Sequence, residues 1–408
     1  MPFQIALSGL NAASTSLSTT ANNIANVNTT GFKGSRANFV ELFATGLQNV
    51  SENATGLGAR PSSIQQQFSQ GSLEFTDNNL DLSLVGGGFF TLRDDGGELT
   101  YTRAGNFSVN RDGFVVNDQG LRLQAFPPIA GTDTFNTGTE IDLQLDTTDA
   151  APNETNLINV GLNLPSDAEE PAVAVFDPED PASYNHTTSV TVFDSLGASK
   201  TATYYFAKDA ADNVWNVYLV VDGEDLTPAG SQLEFDTAGQ LIDPANGIIE
   251  FDDFDATPAN PAQEFTADFS NVTQFGSTFN VNSLTQDGFS SGRLVSIEIT
   301  TEGTVFARFT NGQSTPLGQL AVTNFTNPEG LENVSDTRWA ETFESGQALR
   351  GTAGTGNLGT VQAGALEAAN VDLAKELVDM ITAQRTFQAN AQMISTADNI
   401  TQTIINIR

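Results

Sequence analysis

Apolar residues at the two ends of the chain recur at intervals of three and four, and this pattern constrains the fold most. In an α-helix of about 3.6 residues per turn, such spacing places them in one stripe on a single face. The first stripe comprises Phe3, Ala6, Leu10, Ala13, Leu17, Thr20, Ile24 and Val27. The second comprises Leu373, Leu377, Met380, Gln384, Phe387, Ala391 and Ile394, and after a slip Ala397, Ile404 and Ile407 continue it. We therefore expect a helix over residues 1–28 and another from about residue 366 to the end, with the stripe geometry of a coiled coil.

The first helix has a polar but uncharged opposite face, formed by Ser8, Asn11, Ser14, Ser18 and Asn22. Serine and asparagine are poor helix formers because their side chains compete for backbone hydrogen bonds. A lone helix of this composition is marginal in water, so it needs a partner. The second terminal helix can supply that partner. The spacing is equally consistent with two terminal helices that pack on a globular body.

Between the two helices the period of the pattern falls to two, which is typical of β-strands. Three pairs of segments flank glycine turns and predict hairpins: 107–110 with 114–117, 190–193 with 201–206, and 294–300 with 304–310. We find no convincing helix between about residues 50 and 360. The body of the protein should therefore be β-rich, as in sandwiches and barrels.

Charge divides this β-rich body. Residues 147–284 hold 23 of the 50 acidic residues but only two of the 16 basic residues, which indicates a separate domain inserted into another. The predicted fold class is α+β, mainly β, with two β-rich domains and a coiled-coil-like inner domain of terminal helices. The predicted parts are a terminal helical domain (1–32 and 364–408), an extended connecting segment (33–70), a β-rich middle domain (71–146 and 285–363) and an acidic β-rich outer domain (147–284).

Composition also excludes several functions. A net charge of −34 leaves few basic residues to neutralise nucleic acid phosphates. The chain has no cysteine and a single histidine, His186, so we expect no catalytic residues, no metal site and no cofactor, and hence no enzyme. No apolar run approaches the roughly 18–20 residues of a membrane span, so we expect no membrane insertion. Residues 1–32 carry no charged side chain, unlike the basic start of a secretory signal.

A family resemblance follows from separated sequence blocks that occur in order along the chain. Residues 22–33, NNIANVNTTGFK, resemble the signature of the bacterial flagellar axial proteins, which are rod, hook and hook-associated subunits. The signature residues are Asn22, Asn23, Ile24, Ala25, Asn26, Gly31, Phe32 and Lys33. Residues 7–13 precede the signature, and the further matching segments are 68–82, 87–90, 101–107, 120–124, 364–372 and 383–390. The resemblance covers about residues 1–145 and 285–408.

In its length and its acidic insert, the chain resembles the hook-type members of this family. The resemblance implies a structural subunit that polymerises into a curved tube and transmits torque. The resemblance implies that the terminal helices form its inner layer, through a polymerisation seam of Phe3, Leu10, Leu17, Ile24, Val27, Leu373, Leu377, Met380, Phe387 and Ile394. It also implies unfolded export by the flagellar type III system to a cell-surface appendage. Implied partners are copies of itself, rod, hook-cap and hook–filament junction proteins, and the export apparatus. The alternatives are a distal rod-type subunit and a secreted β-rich adhesin.

Phe39 and Phe43 lie four residues apart, just beyond the signature. In related subunits, a phenylalanine followed four residues later by a hydrophobic residue near this position is thought to engage the export gate. An aromatic pair at this spacing is also an ordinary packing contact. The sequence leaves both roles open: an ordinary packing pair, or an uncleaved export element in a chain whose first 32 residues do not resemble a secretory signal.

Overall fold

The structure is a computed structural model that describes residues 2–42, 56–129, 132, 134–145, 148–228, 230–254 and 263–406. The helices are α1 (Pro2–Ala25), a short 3₁₀-helix (Pro328–Gly330) and α2 (Leu373–Asn406). The first strands are β1 (Ser35–Glu41), β2 (Ala59–Gln66), β3 (Leu73–Phe75), β4 (Leu82–Val85), β5 (Phe89–Arg93), β6 (Leu99–Thr102), β7 (Ser108–Val109), β8 (Val115–Val116), β9 (Arg122–Phe126) and β10 (Ile141–Asp142).

The next strands are β11 (Leu157–Pro165), β12 (His186–Phe193), β13 (Ser199–Lys208), β14 (Val214–Val221), β15 (Glu224–Asp225), β16 (Gln232–Phe235), β17 (Leu241–Asp243), β18 (Ile248–Phe254), β19 (Gln263–Asp268), β20 (Thr273–Phe275) and β21 (Asn280–Gln286). The last are β22 (Leu294–Ile299), β23 (Thr304–Phe309), β24 (Ser314–Asn324), β25 (Glu332–Ser335), β26 (Arg338–Ala340), β27 (Leu349–Thr352), β28 (Thr360–Ala363) and β29 (Ala365–Glu367).

The chain divides into two compact units. Unit 1 comprises Met1–Thr147, Ser296–Arg308 and Ser314–Arg408, and unit 2 comprises Thr148–Val295 and Phe309–Gln313. Unit 2 therefore interrupts unit 1 in the sequence. The division predicted from the sequence is finer, since it separates the terminal helices and a connecting segment from the middle domain, and it stays a prediction.

A 12-stranded sheet dominates unit 1, with β22-β23-β24-β9-β5-β6-β26-β25 in order and β7, β8, β10 and β27 attached to it. Leu84, Phe90, Leu123, Val305 and Val322 belong to its buried core. Three small antiparallel sheets pair β1 with β2, β4 with β28, and β3 with β29. The last two pairings join strands from opposite ends of the chain, so they bring both terminal segments to one place.

Unit 2 consists of two sheets that share one core. The six-stranded sheet runs β12-β13-β14-β16-β17 with β15 beside β14, and the five-stranded sheet runs β18-β19-β11-β20 with β21 beside β11. Alternation along β14 buries Trp215, Val217 and Leu219. They join Val160 and Leu162 of β11 in a single hydrophobic cluster. A sandwich of this kind follows from strands whose every second residue is apolar.

The two terminal helices lie antiparallel in unit 1. Asn23 of α1 hydrogen-bonds Glu376 at the start of α2, and Gly9 near the start of α1 packs against Asn390 farther along α2. Among the residues that the structure describes, no helix is both long enough and apolar enough to cross a membrane.

The predicted fold class and hairpins are confirmed, since each predicted pair of segments contains adjacent strands. The predicted helix bounds are wrong at two places. Helix α1 ends at Ala25, so Val27 lies in the following turn. Helix α2 begins at Leu373 rather than near residue 366, because β29 uses residues 365–367 and Asp372 then caps the helix by accepting from the amides of Ala374 and Lys375.

The core of unit 2 can be tested with Leu219→Ala in β14. Leu219 is fully buried, so its truncation should lower the free energy of unfolding by about 2–5 kcal/mol. Leu196→Ala is the control, because that leucine is 69% exposed and its truncation should change stability by less than about 0.5 kcal/mol. Urea unfolding followed by Trp215 fluorescence in a Trp339→Phe background reports unit 2 alone. Equal midpoints for the two variants would contradict the packed core.

Candidate functional site

A buried carboxylate lies where the terminal segments meet. Lys33 Nζ donates to Glu367 Oε1 at 2.6 Å, and both side chains are fully buried. Arg103 Nη1 donates to the other oxygen, Oε2, at 3.2 Å. The amide of Gly71 also donates to Oε1, at 2.9 Å. One carboxylate of the C-terminal segment thus joins Lys33 of the N-terminal signature, Arg103 in the loop after β6 and the backbone before β3.

Two cations share this single carboxylate, so the cluster carries a net positive charge away from water. Burial lowers the pKa of Lys33, an effect that Glu367 opposes and the Arg103 charge reinforces. Burial likewise lowers the pKa of Arg103, and Glu367 again opposes the shift. Arg103 also donates to the carbonyls of Gly86 and Leu84 and lies over the Phe89 ring. Removal of the carboxylate would leave buried charge without a counter-ion.

Gly31 lets the signature approach this cluster. Its amide donates to the backbone carbonyl of Glu367 at 2.7 Å. Its φ of +69° is a left-handed conformation that side chains disfavour, and a Cβ there would lie 2.4 Å from the Ala104 nitrogen. Only glycine fits both the backbone conformation and the close contact.

Two asparagine side chains form hydrogen bonds with backbone groups of residues 34–35 and 67–69. Asn23 Nδ2 donates to the Ser35 carbonyl at 2.8 Å, and the Ser35 amide donates back to Asn23 Oδ1 at 2.9 Å. Asn370 Oδ1 accepts from the Gly34 amide at 2.7 Å, and its Nδ2 donates to the carbonyls of Gln67 and Ser69. These amides replace backbone partners that the irregular segments lack.

The remaining signature residues shape the turn after α1. Asn26 Nδ2 donates to the Asn22 carbonyl, and Asn26 Oδ1 accepts from the Thr29 hydroxyl. The Phe32 amide donates to the Thr29 carbonyl. Ile24 and Phe32 are half-buried, whereas Asn22 and Ala25 are exposed. The predicted signature is therefore divided between a turn and the buried cluster.

Small residues form the contact between the two terminal helices. Ala6, Ala13 and Thr20 of α1 and Ala383 of α2 are buried, and a Cβ on Gly9 would lie 2.7 Å from Asn390 Oδ1. The least exposed residues along α2 are Glu376, Met380, Ala383, Phe387, Asn390, Ile394 and Ala397. This stripe shares Met380, Phe387, Ile394 and Ala397 with the predicted stripe but lacks the predicted Leu377, Gln384 and Ala391.

The predicted polymerisation seam is accordingly divided between two environments. Its half-buried members are Leu10, Leu17, Ile24, Val27, Met380, Phe387 and Ile394. Its exposed members are Phe3, Leu373 and Leu377. Within one chain the helix pair therefore leaves large apolar side chains on its surface.

The predicted export pair is only partly described. Phe39 lies in β1 and is 40% exposed, so it is not a core residue. Phe43 lies outside the described residues. Its role stays a prediction.

Sequence reasoning missed the three residues that complete the site, Arg103, Glu367 and Asn370. Each lies in a block that resembles the axial family, at residues 101–107 or 364–372. The sequence does give one sign of the site, since Glu367 is a charged residue within an alanine-rich block. Strand and helix periodicity do not reveal which cations pair with it.

Comparison with known proteins accounts for these blocks. Family models match along the chain: flagella basal body rod protein at residues 3–33, flagellar hook protein FlgE/F/G D1 domain at 83–174, flagellar basal body protein FlaE D2 domain at 163–289, and flagellar basal body rod FlgEFG protein C-terminal at 362–407. The flagellar hook protein FlgE of Escherichia coli (strain K12) is 40% identical over 413 residues, which cover 100% of both chains. The chain belongs to the flagellar hook protein family.

Other members of the hook protein family support the same assignment. The flagellar hook protein FlgE of Rhizobium meliloti is 33% identical, over 98% of this chain and 97% of that protein. That of Borreliella burgdorferi is 32% identical, over 98% of both. A crystal structure of Helicobacter pylori flagellar hook protein FlgE2 shares the fold, with a TM-score of 0.55 at 13% identity over 72% of this chain and 100% of that one.

Membership in the hook protein family confirms the resemblance found in the sequence. The chain is a structural protein of the flagellar hook, part of an external appendage. The full-length matches include the acidic insert, which is the feature that distinguished a hook-type subunit from a rod-type subunit in the sequence argument.

Gly31→Ala tests the close approach at the cluster. Gly120→Ala is the matched control, because Gly120 has φ +83° but nothing within 4 Å of its added Cβ. The control should lose about 1–2 kcal/mol through backbone strain alone. Gly31→Ala should lose at least about 3 kcal/mol, since the new Cβ also meets the Ala104 backbone. Trp339 fluorescence during urea unfolding, in a Trp215→Phe background, measures both. Equal losses would refute the close contact.

Proposed function

We propose that this hook protein polymerises through its paired terminal helices into a curved tube, which acts as a universal joint between rod and filament. The observation that carries the proposal is the apolar surface that the helix pair leaves exposed. Leu373, Leu377, Val378 and Ile381 are exposed near the start of α2, and Phe3 and Leu7 are exposed on α1. An isolated subunit gains nothing from such a surface, whereas neighbouring subunits can bury it.

The far end of the helix pair offers a second apolar surface. Phe3 of α1 and Met393, Ala397 and Ile400 of α2 line one open groove. The opposite charges that usually specify helix pairing are scarce here, since α1 has no charged residue. Packing through α1 would therefore bury apolar side chains without removing ions from water, which is costly. Helix α2 does carry charged residues, such as Lys375 and Asp379, beside its exposed apolar residues.

The acidic residues of unit 2 support an outward position for that unit in the assembly. Like charge on a surface that faces the medium keeps assembled tubes from aggregating. Exposed acids within a tightly packed inner layer would instead repel one another. We therefore place the terminal helices inside the tube and the acidic outer domain, residues 147–284, outside it.

The proposed partners follow from a position between rod and filament. Beyond other copies of the chain, these are the rod, hook-cap and hook–filament junction proteins. The proposed route to the appendage is unfolded passage through the flagellar type III export apparatus. A chain without cysteine suits this route because no disulfide has to form or break.

Leu377→Asp tests the role of the helix surface in polymerisation. Leu377 is 39% exposed in one chain, so the variant should fold normally. Burial of an unpaired carboxylate between subunits should raise the protein concentration needed for assembly at least ~100-fold. Circular dichroism checks the fold, and electron microscopy checks for tubes.

Leu196→Asp is the control for that experiment, because it makes the same change at an exposed leucine of unit 2. This control should still form tubes. Normal tubes from Leu377→Asp would show that this face of α2 does not take part in the assembly.

Phe39→Ala, alone and combined with Phe43→Ala, tests the export element. Because Phe39 is not a core residue, the thermal transition of the purified variants should shift by less than about 2 °C. Secretion into the medium should fall at least tenfold if the export apparatus reads the phenylalanine. Phe75→Ala is the control, as Phe75 is 77% exposed on β3. Unchanged secretion with a lowered transition would assign Phe39 to packing.

A further inference from the structure

The buried cluster makes the N-terminal connector, residues 31–35, depend on the C-terminal segment. Glu367 lies 334 residues after Lys33 in the chain. Its side chain accepts from Lys33, Arg103 and the Gly71 amide, and its backbone carbonyl accepts from Gly31. In the described part of the chain, no other carboxylate pairs with Lys33 or Arg103.

Without Glu367 in place, the connector would have to dock with two buried cations and no counter-ion. Lys33 would retain only the Ser69 carbonyl, and Arg103 would retain the carbonyls of Gly86 and Leu84. The guanidinium stays protonated in proteins, so the repulsion can be relieved only if Lys33 gives up its proton. Burial and the Arg103 charge already lower the pKa of Lys33, and only Glu367 opposes them. Either outcome, a charged or a deprotonated Lys33, costs free energy on docking. Neutral carbonyls do not compensate the burial of two like charges.

We propose that Glu367 acts as a latch, which allows the N-terminal connector to dock on unit 1 only together with the C-terminal segment that carries β29. The order of folding follows from this arrangement. Residues 31–35 precede residues 365–370 in synthesis and sequence, but they stay undocked until residues 365–370 pack on unit 1. Only that later segment supplies the counter-ion, Glu367. The two ends of the subunit then become ordered in one step. This inference concerns the folding of one chain and goes beyond the proposed polymerisation.

The buried charge that each of two variants leaves behind distinguishes a latch from an ordinary contact. Glu367→Gln leaves Arg103 without a counter-ion and makes Lys33 either stay charged beside it or lose its proton, whereas Lys33→Met leaves a neutral Arg103–Glu367 pair. The Ser69 carbonyl keeps a partner in Lys33→Met, since Asn370 also donates to it. A contact that only contributes hydrogen bonds would instead suffer at least as much from Lys33→Met, which loses both bonds of the ammonium group.

Hydrogen exchange of the amides of residues 31–35 and 365–370 tests the latch in the full-length chain, both free and assembled. In the state where the wild-type segments are protected, Glu367→Gln should speed exchange in both segments about 100- to 1,000-fold. Lys33→Met should stay within about threefold of wild type, since an apolar replacement of a buried ion is often neutral. The double variant Lys33→Met/Glu367→Gln, which retains one unpaired cation, should lie between them.

Glu298→Gln is the matched control, because it breaks an exposed ion pair with Arg308 in the same unit. It should leave exchange in both segments unchanged. The latch is refuted if Lys33→Met exposes residues 31–35 as much as Glu367→Gln does, or if only one of the two segments loses protection. Free exchange of residues 31–35 in every state of the wild-type chain also refutes it. If the wild-type chain forms no tubes, the proposed polymerisation is refuted instead. The exchange rates of Glu367→Gln and Lys33→Met in the free chain would still test the latch.

Discussion

One buried carboxylate connects the parts of the chain on which the proposed assembly depends. Glu367 receives Lys33 from the segment after α1, Arg103 from the loop after β6, and the Gly71 amide from the segment before β3. A buried ion pair contributes little to stability compared with apolar packing, but the loss of one partner is costly. The main effect of the cluster is therefore to specify which segments meet, and its contribution to the strength of their contact is small. It also sets the position from which both terminal helices extend.

From that position the helices pack through their smallest residues. Ala6, Gly9, Ala13 and Ala383 allow close approach, but they bury little apolar area. Hydrophobic stabilisation scales with the area removed from water, so this pair gains less from packing than a pair that buries its large side chains completely. Leu10, Leu17, Met380 and Phe387 are only half-buried, and Leu377 and Ile381 stay exposed. A subunit built this way is incomplete alone, which is the property that a polymerising protein requires.

Periodicity predicted much of this fold. Spacing of three and four located both helices, alternation located the hairpins, and both signals report which face of an element is buried. Periodicity could not locate the cluster, because Lys33, Arg103 and Glu367 lie in turns or short strands that have too few residues to show a period. It also misplaced part of the stripe of α2. The predicted members Leu373 and Leu377 are exposed. The less exposed face combines the predicted Met380, Phe387 and Ile394 with Ala383 and Asn390.

The misplaced stripe has a physical explanation in the two contacts that a terminal helix of an assembling protein must make. Sequence patterns weight residues by size and hydrophobicity, so they find the face with the most apolar area. In a monomeric protein that face meets the core. In this hook protein the intramolecular contact needs proximity more than area, and small residues at Gly9 and Ala383 provide it. The apolar residues that this contact leaves exposed, such as Leu377 and Ile381, are then available to neighbouring subunits, and they form the surface through which we propose that the hook protein assembles.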